Sequence, residues 1–401
     1  MSYENFVYEQ PTRIVFGKNS IEKLGCLALE FGAKKVLINI GGSSARKSGL
    51  LDNVITQLEK AGIEYVLHSD CTPNPRSTWI DEGAFIYTAE NCNFILAIGG
   101  GSVIDASKAI ALLVTNPDKD GIWHYMSGEG EFKNEAVSLA AILTLAATGS
   151  ECNGSFVITN EKTKEKYVNS HNSARPVFSI CDPAYTYTVN KWQTACGISD
   201  IISHVLEQYL YNDNTCDVSD GMCLGVLKAV VRWGPVALKQ PDNYDARANL
   251  MWASTIGLNG ILGAGHDGNW VVHMLEHALS AVFDVAHGAG LACLTPYYMS
   301  YISAEDTAGK IDRLGTELFG IDGSVKNIKD KTVKKLAEFF KSIGMPGTLQ
   351  ELINAPVTDD LIYELAEKAL PWKLMSVGGY KPFTVRDAVK VFKSSTKPLK
   401  L

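Results

Sequence analysis

Up to Asp182, short apolar runs rich in β-branched residues alternate with stretches whose apolar residues recur every three or four positions. The runs predict strands at Arg13–Phe16, Lys35–Ile40, Glu64–Leu67, Phe94–Ile98, Ala141–Thr144 and Pro176–Ile180. Between them the periodicity predicts helices at Ser20–Phe31, Gly49–Ala61, Ile80–Glu90 and Ser102–Leu113. This order is that of βαβ units around a parallel sheet. FVITNEKTKEKYV reads as a hairpin with a charged tip. Beyond Asp182 strand-like runs nearly vanish, and Asn327–Ile343, Asp359–Ala369 and Thr384–Lys393 are amphipathic, with TELFG and SIGMPG supplying glycine stops. The expectation is an α/β N-terminal dinucleotide-binding domain over 1–182 and an all-helical C-terminal domain over 183–401, with a ligand in the cleft between them.

The 401 residues exceed the ~250–300 at which a single core stops growing, which agrees with two domains. Apolar residues make up 46% and charged residues 20%, a composition for packed cores rather than disorder. A net charge of −7 gives no electrostatic case for nucleic acid or an anionic membrane, so a small-molecule substrate is expected. Nine scattered cysteines without a CxxC suggest neither a disulfide framework nor a thiolate zinc site. The start MSYENFVYEQ lacks the apolar core of a secretory signal, and the apolar run near Ala136–Ala147 is too short to span a bilayer. A cytoplasmic protein is expected.

After FILAI comes Gly99-Gly100-Gly101-Ser102, then VIDASKAIALL with helical periodicity. A strand, a glycine turn and a helix N-terminus make a phosphate site, because backbone N–H groups and the helix dipole face the anion. The turn matches neither GxGxxG nor a Walker loop. The earlier strand KKVLINI runs into Gly41-Gly42-Ser43-Ser44, with Arg46 and Lys47 close behind. An acid at that strand end would select NAD through the ribose 2′-hydroxyl; small donors and cations in its place favour NADP(H). Thr144 and Thr148, in TLAATGSE, end a further strand with hydroxyls suited to a ribose or carboxamide.

Three of the eight histidines fall in NWVVHMLEHALSAVFDVAHG. His273 and His277 are one helical turn, ~6 Å, apart, so one metal can meet both. His287 would lie roughly 21 Å from His273 on an unbroken helix; to share a site, the helix must stop near Phe283 and the chain fold back before Gly288. Asp200 and His204 are again four apart in a helical stretch. With His273 and His287 they would give one oxygen and three nitrogens, a set that suits Fe(II) or Zn(II), with Mn or Co as alternatives. Asp200 could instead orient a ligating histidine. His68 and His124 read as structural or surface residues, and His266 stays open.

The segments FGKNSIEKLG, INIGGSSARKSGLLDNV, PNP, GGGSVIDASKAIA, TLAATGSE, DPAYTYTV, SDIISHVLEQY and HMLEHALSAVFDVAHGAGLA span essentially the whole chain. In them it resembles the iron-containing (group III) alcohol dehydrogenases, in the branch of NADP-dependent butanol dehydrogenases and aldehyde reductases. The resemblance implies a dehydroquinate synthase-like architecture and a homodimer paired through Arg13–Phe16. It implies that Asp200, His204, His273 and His287 bind the metal and that His277 sits beside the site without being a primary ligand; one turn from His273, His277 is the residue expected to relay the proton between substrate oxygen and solvent. Coenzyme contacts are implied at Gly41, Gly42, Ser43, Ser44, Gly99, Gly100, Gly101, Ser102, Asp105, Thr144, Thr148, Asn153 and Lys166. Ser43 stands where the branch often has a third glycine, and Ala146-Ala147 replaces a proline-containing version. The activity implied is hydride exchange between NADP(H) and a primary alcohol or aldehyde. Alternatives are an NAD-using polyol (glycerol-type) dehydrogenase, a dehydroquinate synthase-like lyase, which would need more basic residues, and a metal-dependent hydrolase, which would leave the glycine turn unexplained.

Overall fold

The computed structural model describes residues 4–266, 268–370, 374–375 and 380–399. Eight strands lie in the first half: β1 Arg13–Phe16, β2 Lys35–Ile40, β3 Glu64–His68, β4 Phe94–Gly99, β5 Leu139–Leu143, β6 Ser155–Asn160, β7 Glu165–Ser170 and β8 Phe178–Cys181. The helices among them are α1 Leu24–Glu30, α2 Ser44–Lys47, α3 Leu50–Lys60, α4 Ser77–Ala89, α5 Gly101–Thr115 and α6 Ile122–Met126. Six strands form one parallel sheet in the order β1-β8-β5-β4-β2-β3. β6 and β7 form the expected antiparallel hairpin.

The sheet strands are apolar on both faces because both faces are covered. Leu37, Ile95, Ala97 and Ala141 pack with α4, α5 and the hairpin residues Phe156 and Ile158. Their neighbours Val36, Ile38, Phe94, Leu96, Ala140 and Ile142 pack on the other side with α1 and α3. The predicted strand over Ala141–Thr144 starts two residues earlier and ends at Leu143, so Thr144 lies past the strand end.

The remaining helices are α7 Lys191–Tyr209, α8 Asp217–Lys239, α9 Tyr244–Gly257, α10 Val271–Phe283, α11 His287–Ile302, α12 Lys310–Phe319, α13 Ile328–Ser342, α14 Leu349–Ile353, α15 Asp359–Ala369 and α16 Val385–Ser395. Two-residue strands β9 Leu374–Met375 and β10 Phe383–Thr384 pair between α15 and α16. By length and composition α8 could cross a membrane. It packs instead on α7 and α12, and its buried Asp220 pairs with the buried Lys310.

The chain forms two compact units, one of Glu9–Val189 with Pro241–Thr255, the other of the remainder. Residues 183–189 and 241–255, on the helical side of the sequence-based 182/183 division, thus lie with the sheet. The reason is chemical for the end of α9, whose Ser254 and Thr255 hydroxyls bond to the segment after β5.

Candidate metal centre and coenzyme loops

α7 places Asp200 and His204 on one face, with His204 Nδ1 3.3 Å from Asp200 Oδ1. α10 carries His273, Glu276 and His277. It ends at Phe283; Asp284 is left-handed (φ 53), Ala286 is extended, and His287 opens α11. The reversal that His287 requires is therefore present. α11 can lie close to α7 because residue 288 is glycine, where a Cβ would fall 2.0 Å from the Cys196 carbonyl oxygen.

As a result His273 Nε2 and His287 Nε2 stand 3.8 and 3.7 Å from the same Asp200 Oδ1. The far nitrogen of each ring faces a buried carboxylate: His273 Nδ1 pairs with Glu207, and His287 Nδ1 with Glu276. Glu207 also accepts from the Val272 N–H at 2.6 Å, and Glu276 from the Ser280 hydroxyl. A histidine donating Nδ1–H to a carboxylate keeps a lone pair on Nε2. Asp200 Oδ1, His204 Nδ1 and His273 Nε2 find no hydrogen-bond partner among the described residues. Acceptors facing acceptors in a buried place repel unless a cation or proton lies among them.

The ionisation of the cluster reflects this. Burial alone raises the Asp200 carboxyl, but His204, His273 and His287 reverse that and bring it to about 2. Burial lowers His204 to about 4. Burial would also lower His273, yet Glu207 and Asp200 raise it to about 10. Asp200, Glu207 and Glu276 bring three buried carboxylates together around the histidines. One oxygen and three imidazoles as donors, with surplus negative charge, fit Fe(II) or Zn(II). His277 is buried beside the group, its ring 5.6 Å from that of His287.

The other histidines are held elsewhere. His266 stacks on Tyr211 at 4.0 Å and contacts the Leu262 carbonyl, and Asp267 beside it lies outside the described residues. His68 stacks on Trp79.

In the sheet-containing unit, β4 ends at Gly99, and Gly100 precedes the first turn of α5. A Cβ on Gly101 would fall 2.6 Å from Thr148 Cγ2, so Thr148 lies against the glycine turn. Thr144 N–H bonds Gly99 O at 3.0 Å. The loop from Leu145 to Ser150 is tied down by buried groups. Ser254 Oγ accepts from the N–H groups of Ala147 and Gly149 (2.9 and 3.3 Å), and Thr255 donates to Glu151 at 2.5 Å. Asp105 accepts from the Ser150 hydroxyl and from Val157 N–H. Lys108 Nζ donates to Ser150 Oγ, Asn153 Oδ1 and the Ser155 carbonyl. Asp105 and Asn153, read from sequence as coenzyme contacts, are thus engaged in holding this loop. Lys166, on β7, donates to Asn74 of the PNP segment at 3.0 Å. Gly41 to Ser44 follow β2, with Ser43, Ser44, Arg46 and Lys47 exposed.

Glu207, Glu276, Lys108, Ser254 and Thr255 were not singled out by the sequence pattern. The two glutamates did carry a signal, each lying three residues beyond a histidine, His204 or His273, on the same helix face.

The family model described as iron-containing alcohol dehydrogenase matches residues 11–183, and the family's C-terminal model matches 194–396. The chain is 38% identical over 394 residues to NADH-dependent butanol dehydrogenase B of Clostridium acetobutylicum, covering 98% of this chain and 99% of that one. It is 35% identical over 349 residues to an NADPH-dependent aldehyde reductase of Escherichia coli, covering 86% and 89%. The crystal structure of NADH-dependent butanol dehydrogenase A from Thermotoga maritima superimposes with a TM-score of 0.93 at 35% identity, covering 99% of this chain and all of that one. With both halves matched and the same fold in a solved relative, the chain belongs to the iron-containing alcohol dehydrogenase family.

Proposed function

We propose that the chain exchanges hydride between NADP(H) and a primary alcohol or its aldehyde at a divalent metal, Fe(II) or Zn(II), held by Asp200, His204, His273 and His287. The observation that carries this reading is the set of ring nitrogens of the buried His204 and His273 and the half-buried His287 gathered within 3.3–3.8 Å of the buried Asp200 Oδ1. When bound, the metal supplies Lewis acidity toward the substrate oxygen and makes its proton easier to remove. The residues do the rest. Glu207 and Glu276 hold the rings of His273 and His287 with Nε2 toward Asp200. His277 carries the hydroxyl proton between substrate and solvent.

In the same reading the Gly99–Ser102 turn takes the pyrophosphate, Thr144 and Thr148 meet the nicotinamide ribose, and Gly41 to Ser44 take the adenosine ribose. Asp105, Asn153 and Lys166 support those contacts. Within 41–47 there are two cations and no acid, which supports NADP(H), while the relatives' names divide between NADH and NADPH. The protein works in the cytoplasm, where its nine unpaired cysteines suit a reducing compartment. It works there as a homodimer joined along β1, an edge strand of its sheet.

The test is NADPH oxidation against NADH oxidation over a panel of aldehydes, with metal analysis of the same sample. Aldehyde-dependent oxidation that tracks metal content is expected. Full activity after complete metal removal would refute the metal's part, and inertness toward both coenzymes would refute the dehydrogenase reading.

A further inference from the structure

The loops after β2, β3 and β4 meet at one residue, Gly41. β2 lies between the other two strands, with Asn39 opposite His68 on one side and Ile40 opposite Ile98 on the other. After β3 the chain turns toward β2: Asp70 N–H bonds the Gly41 carbonyl at 3.3 Å, and Cys71 N–H bonds Ile40 O at 3.2 Å. Cys71 Sγ then reaches the Ser102 carbonyl, in the glycine turn after β4, at 3.8 Å. A Cβ on Gly41 would sit 3.5 Å from Cys71 O and 3.6 Å from Val103 Cγ2. The segment Ser69–Cys71 therefore lies against the start of the Gly41 to Ser44 loop, although it comes from the next strand.

That segment carries an acid. Asp70 is exposed and holds φ at +69°, a conformation that glycine adopts without strain and that few other residues tolerate. Ser69 Oγ donates to Asp70 Oδ2 at 2.6 Å, which steadies the carboxylate. Nothing in the backbone calls for a charge there, since glycine or asparagine would serve the turn as well.

Building on the coenzyme reading above, we infer that Asp70 is a specificity-determining residue that limits the preference for NADP(H) and keeps NAD(H) usable. An acidic oxygen beside the adenosine ribose accepts a hydrogen bond from a free 2′-hydroxyl and repels a 2′-phosphate. Arg46 and Lys47, exposed on α2 just past Gly41 to Ser43, act in the other direction. Coenzyme choice in this chain is the balance of these opposed charges rather than a property of the β2 end alone.

The experiment compares the intact wild-type protein with Asp70→Asn, which keeps the size of the side chain, and Asp70→Gly, which also relieves the backbone. For each, kcat/KM is measured with NADPH and NADH on one aldehyde, and binding of adenosine 2′,5′-bisphosphate and of AMP is measured by calorimetry. Both variants should raise the NADPH/NADH ratio roughly tenfold, with a lower KM for NADPH and a higher KM for NADH. The bisphosphate should tighten and AMP weaken in parallel. A ratio and a pair of affinities that stay within about twofold of wild type in both variants would overturn the role of Asp70. Wild-type protein that neither binds the fragments nor turns over either coenzyme would instead overturn the dehydrogenase reading on which this inference stands.

Discussion

Around the end of β5 most buried polar atoms answer one another: Asp105 with Ser150 and Val157, Lys108 with Ser150 and Asn153, Ser254 with two backbone N–H groups, and one oxygen of Glu151 with Thr255, while Glu151 Oε2 finds no partner among the described residues. Around Asp200 they do not: Asp200 Oδ1, His204 Nδ1 and His273 Nε2 face one another with no hydrogen-bond partner among the described residues. The first region is held by a network of paired groups with a single carboxylate oxygen left over. The second would be completed by a cation or a proton among its acceptors, which makes it the more informative about chemistry. Buried polar groups in native proteins are nearly all paired, so an unpaired cluster marks the place where something else binds.

The largest expected effect separates His273 from its neighbour one turn away. His273→Ala should lose bound metal together with about three orders of magnitude of turnover, because it removes a donor. His277→Ala should lose about a hundredfold of kcat with metal content intact. Metal analysis beside steady-state kinetics reads both, and metal lost from the His277 variant would place that residue among the donors.

A next test concerns the carboxylates behind the rings. Because His273 is raised to about 10, a proton competes with the metal at neutral pH. Metal affinity should rise by about tenfold per pH unit from 6 to 9, the stretch below that pKa. Glu207→Gln keeps an acceptor and removes the charge. It should flatten that slope and weaken metal binding by about 10–100-fold. Competition with a chelator across pH measures both, and a wild-type affinity independent of pH would contradict the arrangement.

The smallest expected effect belongs to the region around the end of β5. Ser254→Ala leaves two buried N–H groups without an acceptor, at a cost of about 1–3 kcal/mol. It should raise the KM for coenzyme several-fold while leaving metal content alone, and Ser254→Thr should restore it. A lowered melting temperature with an unchanged KM would mean that Ser254 serves stability only.

Much of the fold was legible because its signals are local. The parallel sheet announces itself by strands apolar on both faces, and the hairpin by its charged tip. The reversal before His287 followed from helical rise once His287 was taken to share a site with His273, since an unbroken helix would separate them by roughly 21 Å. Other parts were hidden for a physical reason. A glutamate on a helix is ordinarily solvated, so Glu207 and Glu276 gave no sign of burial until α7, α10 and α11 were seen to pack. Ser254 is a hydroxyl in a helix, and its partners Ala147 and Gly149 lie more than a hundred residues away. Asp70 escaped notice because the acid was sought at the end of β2, whereas Asp70 follows β3 and meets that end through the Gly41 carbonyl.

The reversal at Asp284 also bears on how the helical unit holds together. Asp200 and His204 come from α7, while His273 and His287 lie on α10 and at the start of α11, so a cation shared by these donors would tie residues 69 positions apart (273 − 204). A disulfide closing a loop of that length is worth about 4 kcal/mol through the restriction it places on the unfolded chain. The proposed metal would then be a cross-link as well as a reagent, one that a chelator can cut.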